Sequence, residues 1–253
     1  MNLEEEYRQY LMTRKNLSFP GKFAPYDWIK KSSWQSPYMA YSYMLWEHAP
    51  EISNSINDLR RYIFSLDAWS ERLSHHDDNT DKFKLIVEFI NPIATLSINL
   101  PYVIRSQFIY STAHLSHQAN QSKDKNWKDE FPLDSKVCFS TADKYGTSWK
   151  SYGKLKTTLE TIANKEYISD TYNFRNLYNH RFPPRIELGQ SGFVTRNVAD
   201  KRQVSYGLGE TKPLKLEQIV PLLKNQHAQL LRAFELYQKL IEEQIGKIED
   251  ADK

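Results

Sequence analysis

An all-α fold, an up-and-down helical bundle with extra N-terminal helices and one small β-hairpin before the last helix, is what three features of the sequence predict. Apolar residues recur at intervals of mostly three and four in two long runs, one from Ile52 to Leu73 and one from Leu216 to Ile241, as on a helix with one buried stripe. Glycine is scarce, 8 in 253 residues, which disfavours turn-rich β architectures and phosphate-binding loops. Strand character is confined to one stretch, residues 186–206.

The elements follow in order. Leu3 to about Lys15 predicts a helix that complements its own dipole, with Glu4, Glu5 and Glu6 at its start and Arg14 and Lys15 at its end. Lys22 to Pro37 is aromatic and irregular and is expected to pack across the outside of helices; a short helix through Met39, Tyr43 and Trp46 follows. Ile52, Ile56, Leu59, Ile63, Leu66 and Leu73 then form the first long stripe, which closes near His75 to Asn79. A further helix is expected after Asp81, broken or kinked at Pro92 and Pro101, and continuing to about His117. Residues 118–136 read as a solvated connection. Helical spacing returns at Trp149, Tyr152, Leu155, Leu159 and Ile162 and again from Asp170 to His180, where Phe182-Pro183-Pro184 stops it. Phe193-Val194-Thr195 and Gln203 to Tyr206, separated by Asp200-Lys201, predict the hairpin. Leu216, Val220, Leu223, His227, Leu230, Phe234, Tyr237 and Ile241 form a coiled-coil-like seam in the last helix, which places His227 at a core or interface position.

Composition bounds the function. With 34 Lys+Arg against 31 Asp+Glu the formal charge is only +3, so no chain-wide field points to nucleic acid. The single cysteine, Cys138, can close no internal disulfide and no paired-cysteine metal site, and a reducing, cytoplasmic compartment is expected. The acidic start is unlike a secretory signal. Leu85 to Ile104 is apolar but contains Glu88, Asn91, Pro92, Asn99 and Pro101, and reads as a buried helix pair rather than a membrane span. The sequence lacks a Gly-rich phosphate loop, a Gly-x-Ser-x-Gly elbow and a Cys-His nucleophile arrangement, so no cofactor is expected. His114 and His117 share a helical face, but no third ligand accompanies them and no metal is expected there.

Asp170 to Pro184 is the unusual segment. It places Asn173, Asn176 and Asn179 within two turns of an expected helix, although Asn costs about half a kcal/mol relative to Ala in a helix. Asn176 and His180 are four apart and share a face, as do Arg175 and Asn179, so a fixed cation, an amide and an imidazole converge. That set suits phosphodiester cleavage: histidine exchanges a proton near neutral pH, and arginine neutralises charge developing on a phosphorus oxygen. It also suits a plain helix end whose Asn side chains bridge to neighbours, with His180 favoured by the dipole. Residues 171–202 hold six basic residues against two acidic ones, a local basic rim that can hold phosphates; Tyr172, Tyr178 and Phe182 can stack on unpaired bases.

Arg175-Asn176-Leu177-Tyr178-Asn179-His180 resembles the Arg-polar-x-x-x-His signature of the HEPN superfamily, all-α proteins that include toxin and anti-phage ribonucleases. The resemblance implies a HEPN-like core over residues 79–248, an N-terminal helical extension over 1–78 packed on it, and a charged tail over 249–253. It also implies that Arg175 and His180 are catalytic with Asn176 orienting them, and that Asn179, Tyr178, Arg181 and Arg185 contact RNA. Proteins of this kind pair as homodimers and cut RNA without metal, and some answer to an antitoxin or regulatory protein. The toxin branch controlled by nucleotidylation carries a tyrosine two places after the histidine, and here that position is Phe182. Two other readings of the chain stay open: a non-catalytic module that binds RNA or a protein partner through the same groove, and a structural bundle that assembles through its aromatic N-terminal part.

Overall fold

The computed structural model describes residues 1–18, 22–29, 34, 37–200 and 203–251, the side chains of 198–200 and 203 excepted. The chain is mostly helical, 69% helix and 6% strand, with one two-stranded antiparallel sheet. It divides into two compact units, one from Met1–Pro20, Arg60–Asn99 and Asn164–Asn225, the other from Gly21–Leu59, Leu100–Ala163 and Gln226–Lys253. Residues 1–78 therefore contribute to both units.

In the first unit, α1 (Leu3–Asn16) is capped by Asn2, whose side-chain oxygen accepts from the Glu4 N–H at 2.9 Å. Its buried face carries Tyr10, which stacks on Trp69 of α2 (Met39–Ser74) with ring centroids 4.3 Å apart and planes 6° from parallel. Trp69 stacks in turn on Phe89 at 4.7 Å, and Tyr10 donates to Ser65 Oγ at 3.0 Å. Glu6 accepts from Arg72 at 2.8 Å and lies 3.2 Å from His76.

The two helices expected between Met39 and Leu73 are one, and Pro50 lies inside it. A proline within a helix costs about 3 kcal/mol. The buried stripe nevertheless runs unbroken across it through Tyr41, Leu45, Ala49, Ile52 and Ile56. Each large side chain on that stripe contributes about 1.5–3 kcal/mol, so burial on both sides outweighs the lost backbone hydrogen bond.

The kink expected at Pro92 takes a specific form. After α3 (Asn79–Leu85), capped by Asp78, residues Ile86–Ile90 make a π-helical turn. The Asn91 N–H bonds to Ile86 O, five residues back, so the ladder slips by one place just ahead of a proline that has no N–H. The chain then continues as α4 (Asn91–Ala119), with Pro101 inside it. Helical residues Asn79–Ser122 are long and apolar enough to cross a membrane; 33% of their most apolar window is buried, and Leu96 and Val103 are exposed. The expected burial therefore holds for one face, through Ala94, Ile98 and Ile104.

The second unit is built around buried polar links. Tyr41 donates to Gln244 Oε1 and Gln244 Nε2 donates to Ser116 Oγ, both at 3.0 Å, while the Ser111 and Tyr237 hydroxyls meet at 2.7 Å. The aromatic segment after Lys22 is pinned to α2 by Asn57, which bonds both the N–H and the carbonyl of buried Ala24 at 2.9 Å. Helices α5 (Phe139–Gly146) and α6 (Tyr152–Thr161) follow, the first absent from the sequence-based expectation. The last helix, α9 (Leu216–Ala251), buries all eight seam positions, His227 among them.

Cys138 caps α5 and is exposed. The Ser140 hydroxyl 3.1 Å from Sγ, together with the Thr141 N–H, favours the thiolate and pulls the thiol down to about 7. Alkylation by iodoacetamide is therefore expected to rise to half its maximal rate near pH 7, below the usual midpoint of about 8.5 for a free thiol. A Ser140→Ala variant moves that midpoint upward; a wild-type midpoint of about 8.5 contradicts the geometry.

Candidate functional site

The motif lies in the first unit, on a helix shorter than its spacing suggests. The expected Asp170–His180 helix is broken into α7 (Lys165–Asp170) and α8 (Phe174–His180). Between them Tyr172 (φ 50°) and Asn173 (φ 54°) are both left-handed, a conformation that asparagine tolerates better than other side-chain-bearing residues. Asn173 is thus the residue that turns the chain into α8, and only Asn176 and Asn179 of the three asparagines lie on the helix. Pro183 and Pro184 prevent continuation beyond Arg181, whose N–H closes the last turn on Leu177 O at 2.8 Å.

Phe174 is the buried anchor of α8, and its ring stacks nearly parallel to Tyr178 with centroids 6.0 Å apart. Arg175, Asn176, Tyr178, Asn179 and His180 are all exposed on this helix, as are Arg181 and Arg185 beyond it. With helical geometry in place, Asn176 stands one turn below His180, and Arg175 one turn below Asn179.

Beside α8 is a cavity of about 440 Å³ lined by Tyr178, Phe182, Arg185, Gln190, Phe193 and Asn91, among others. Tyr178 and Arg185 of the expected RNA-contacting residues therefore meet at one cavity, whereas Arg175, Asn176, Asn179, His180 and Arg181 do not line it. Phe182 is 87% exposed and Phe193 57%, so two aromatic rings stand open at this edge of the site. Asn91 and Gln190 belong to the cavity without having been signalled by the sequence; nothing local marks residues brought together from so far apart. Of the basic rim, Arg196 is exposed on β1 (Val194–Asp200), which pairs antiparallel with β2 (Gln203–Leu208), while Lys201 and Arg202 lie outside the described residues.

The loop that closes the cavity is tied to the last helix by Glu187. This residue is left-handed (φ 61°), its carboxylate accepts the Leu216 N–H at the start of α9, and its carbonyl accepts from Lys215 Nζ at 2.6 Å. Glu187 is thus committed to a helix cap and to Lys215.

The second unit holds a histidine cluster. His114 and His117 share one face of α4, as their spacing requires, and each meets an aspartate of the following connection: His114 Nε2 lies 3.4 Å from Asp134 and His117 Nε2 lies 3.0 Å from Asp129. His48 of α2 packs edge-on to Tyr110 and against His114, and Phe131 covers both α4 imidazoles. The connection expected to be solvated is thus anchored at several points, with Trp127 donating to His117 O at 3.1 Å and Tyr145 donating to Glu130 O at 3.0 Å. Among the described residues no group of three or more His, Cys, Asp or Glu side chains is arranged to hold a metal ion.

Burial is the largest cause that lowers all three imidazoles below the usual 6.5. Asp134 and Asp129 pull the other way on His114 and His117, as Glu47 does on His48, while Lys144 adds to the lowering at His117. The unfolded chain then takes up protons below pH 6.5 that the folded state resists, so stability is lost as pH falls from 6.5 toward the lowered values. Melting temperature should fall between pH 7.5 and about 5.5, and His114→Phe should flatten that dependence; an unchanged profile contradicts the assignment. No family model, curated protein or solved structure matches the chain.

Proposed function

We propose that the chain is a metal-independent endoribonuclease of HEPN type, working as a homodimer in the setting of a toxin or anti-phage effector. The observation that supports this reading is the exposed Arg175-Asn176-x-x-x-His180 run on α8, set beside a cavity that offers Tyr178 and Arg185. One copy of His180 takes the proton from a ribose 2′-hydroxyl, and that oxygen attacks the adjacent phosphorus. The bond from phosphorus to the 5′-oxygen breaks, the His180 of the second copy protonates the leaving oxygen, and a 2′,3′-cyclic phosphate remains. Arg175 neutralises charge gathering on the non-bridging oxygens, and Asn176, one turn from His180, orients the imidazole. Arg181 and Asn179 hold flanking phosphates, while Tyr178 and Arg185 take a neighbouring base and its phosphate.

The test is cleavage of total RNA by the wild-type protein and by His180→Ala. Cleavage that disappears in the variant supports the reading, and cleavage that persists at full rate sinks it. One observation favours a second reading, a non-catalytic module that binds RNA or a protein partner: Tyr178 and Arg185 line the cavity and the catalytic trio does not. Binding that survives His180→Ala, weakens on Arg185→Glu and is accompanied by no cleavage selects that reading.

A further inference from the structure

A second cavity, of about 400 Å³, lies in the other unit where the connection after α4 meets α5. Its size falls in the range of small-molecule sites. Trp127, Tyr145 and His117 contribute rings to its wall, and each ring is held in place. Trp127 is fixed by its bond to His117 O, Tyr145 by its bond to Glu130 O and His117 by Asp129. The cavity also takes Lys123, Lys128 and Lys144 against the acids Asp124 and Glu130. Lys123 is pre-positioned, its ammonium donating to Ser148 O at 2.8 Å and lying 3.3 Å from the Trp149 ring centroid.

His117 is 2% exposed and backs this wall, with Nε2 directed at Asp129, while Trp127 in front of it is partly open and Lys123, Lys128 and Lys144 are exposed. An occupant that suits the wall therefore brings a flat ring to lie against Trp127 and an anionic group for the lysines. We propose that this cavity binds a free mononucleotide, a base joined through its sugar to a phosphate, at a site separate from the α8 motif and independent of the reaction assigned to it.

The proposal is tested by calorimetric titration of the full chain with the four 5′-nucleoside monophosphates, with adenosine and with inorganic phosphate. At least one nucleotide should bind about tenfold or more tightly than either adenosine or phosphate. Its affinity should fall about tenfold in Lys128→Glu, an exposed position, and in Trp127→Ala, and should be unchanged in His180→Ala. The last arm separates this site from the ribonuclease reading, since nucleotide binding lost in His180→Ala places the ligand at α8 and overturns the proposal. It is equally overturned by no binding of any nucleotide at about 5 mM, by phosphate binding as tightly as the nucleotides, or by affinity unchanged in both cavity variants.

Discussion

His180→Ala is expected to lower RNA cleavage by about 10²–10⁴-fold while leaving the fold intact. The size follows from the role: removing a proton-transfer group from the transition state costs about 3–5.5 kcal/mol of barrier. The selectivity follows from the position. His180 is the last residue of α8 and is exposed, and surface substitutions away from caps and cores usually change stability by no more than about 0.5 kcal/mol. Circular dichroism and sedimentation of the variant should therefore match the wild type even as activity disappears. An unfolded or dissociated variant implies a structural His180, and a fully active one removes it from the chemistry.

Trp69→Ala should produce the largest loss of stability in the first unit, about 3–5 kcal/mol. The ring is 1% exposed and stacked between Tyr10 at 4.3 Å and Phe89 at 4.7 Å, so truncation opens a cavity and also removes two aromatic pairs worth about 0.5–1.5 kcal/mol each. Because a domain is typically stable by only about 5–15 kcal/mol, this is a large part of the total. The same stack explains what α1 does: Tyr10 and Glu6 carry it onto α2 through Trp69, Ser65 and Arg72. Urea denaturation should show a lower midpoint with Trp69→Ala and a milder shift with Trp69→Phe, which keeps a ring in the stack. A loss under about 1 kcal/mol for the alanine variant contradicts this packing.

The long stripes from Ile52 to Leu73 and from Leu216 to Ile241 were legible because a buried helical face imposes its own period on the residue order, and every one of those positions is buried. The hairpin was legible from its two runs of strand formers, which pair antiparallel as expected. The continuity of α2 through Pro50 was not, since it depends on burial beyond the proline, which competes with local geometry and wins. The break before α8 was hidden for the opposite reason: a local preference of Asn173 for left-handed backbone overrides a helical pattern that looks continuous on paper. Arg175, Asn176 and His180 could be singled out because they are close in sequence. The cavity beside them could not, because Asn91 lies more than eighty residues upstream of it. Charge likewise masked the anchoring of residues 123–136, where Trp127 and Phe131 pack on the α4 histidines amid lysines and acids.

The most direct measurement is the chemistry of the RNA ends produced by the wild-type protein in excess EDTA. Transesterification by paired copies of His180 yields 2′,3′-cyclic phosphate on one fragment and a 5′-hydroxyl on the other, at a rate that chelation leaves unchanged. Products bearing 3′-hydroxyl and 5′-phosphate ends, or cleavage abolished by EDTA, contradict it.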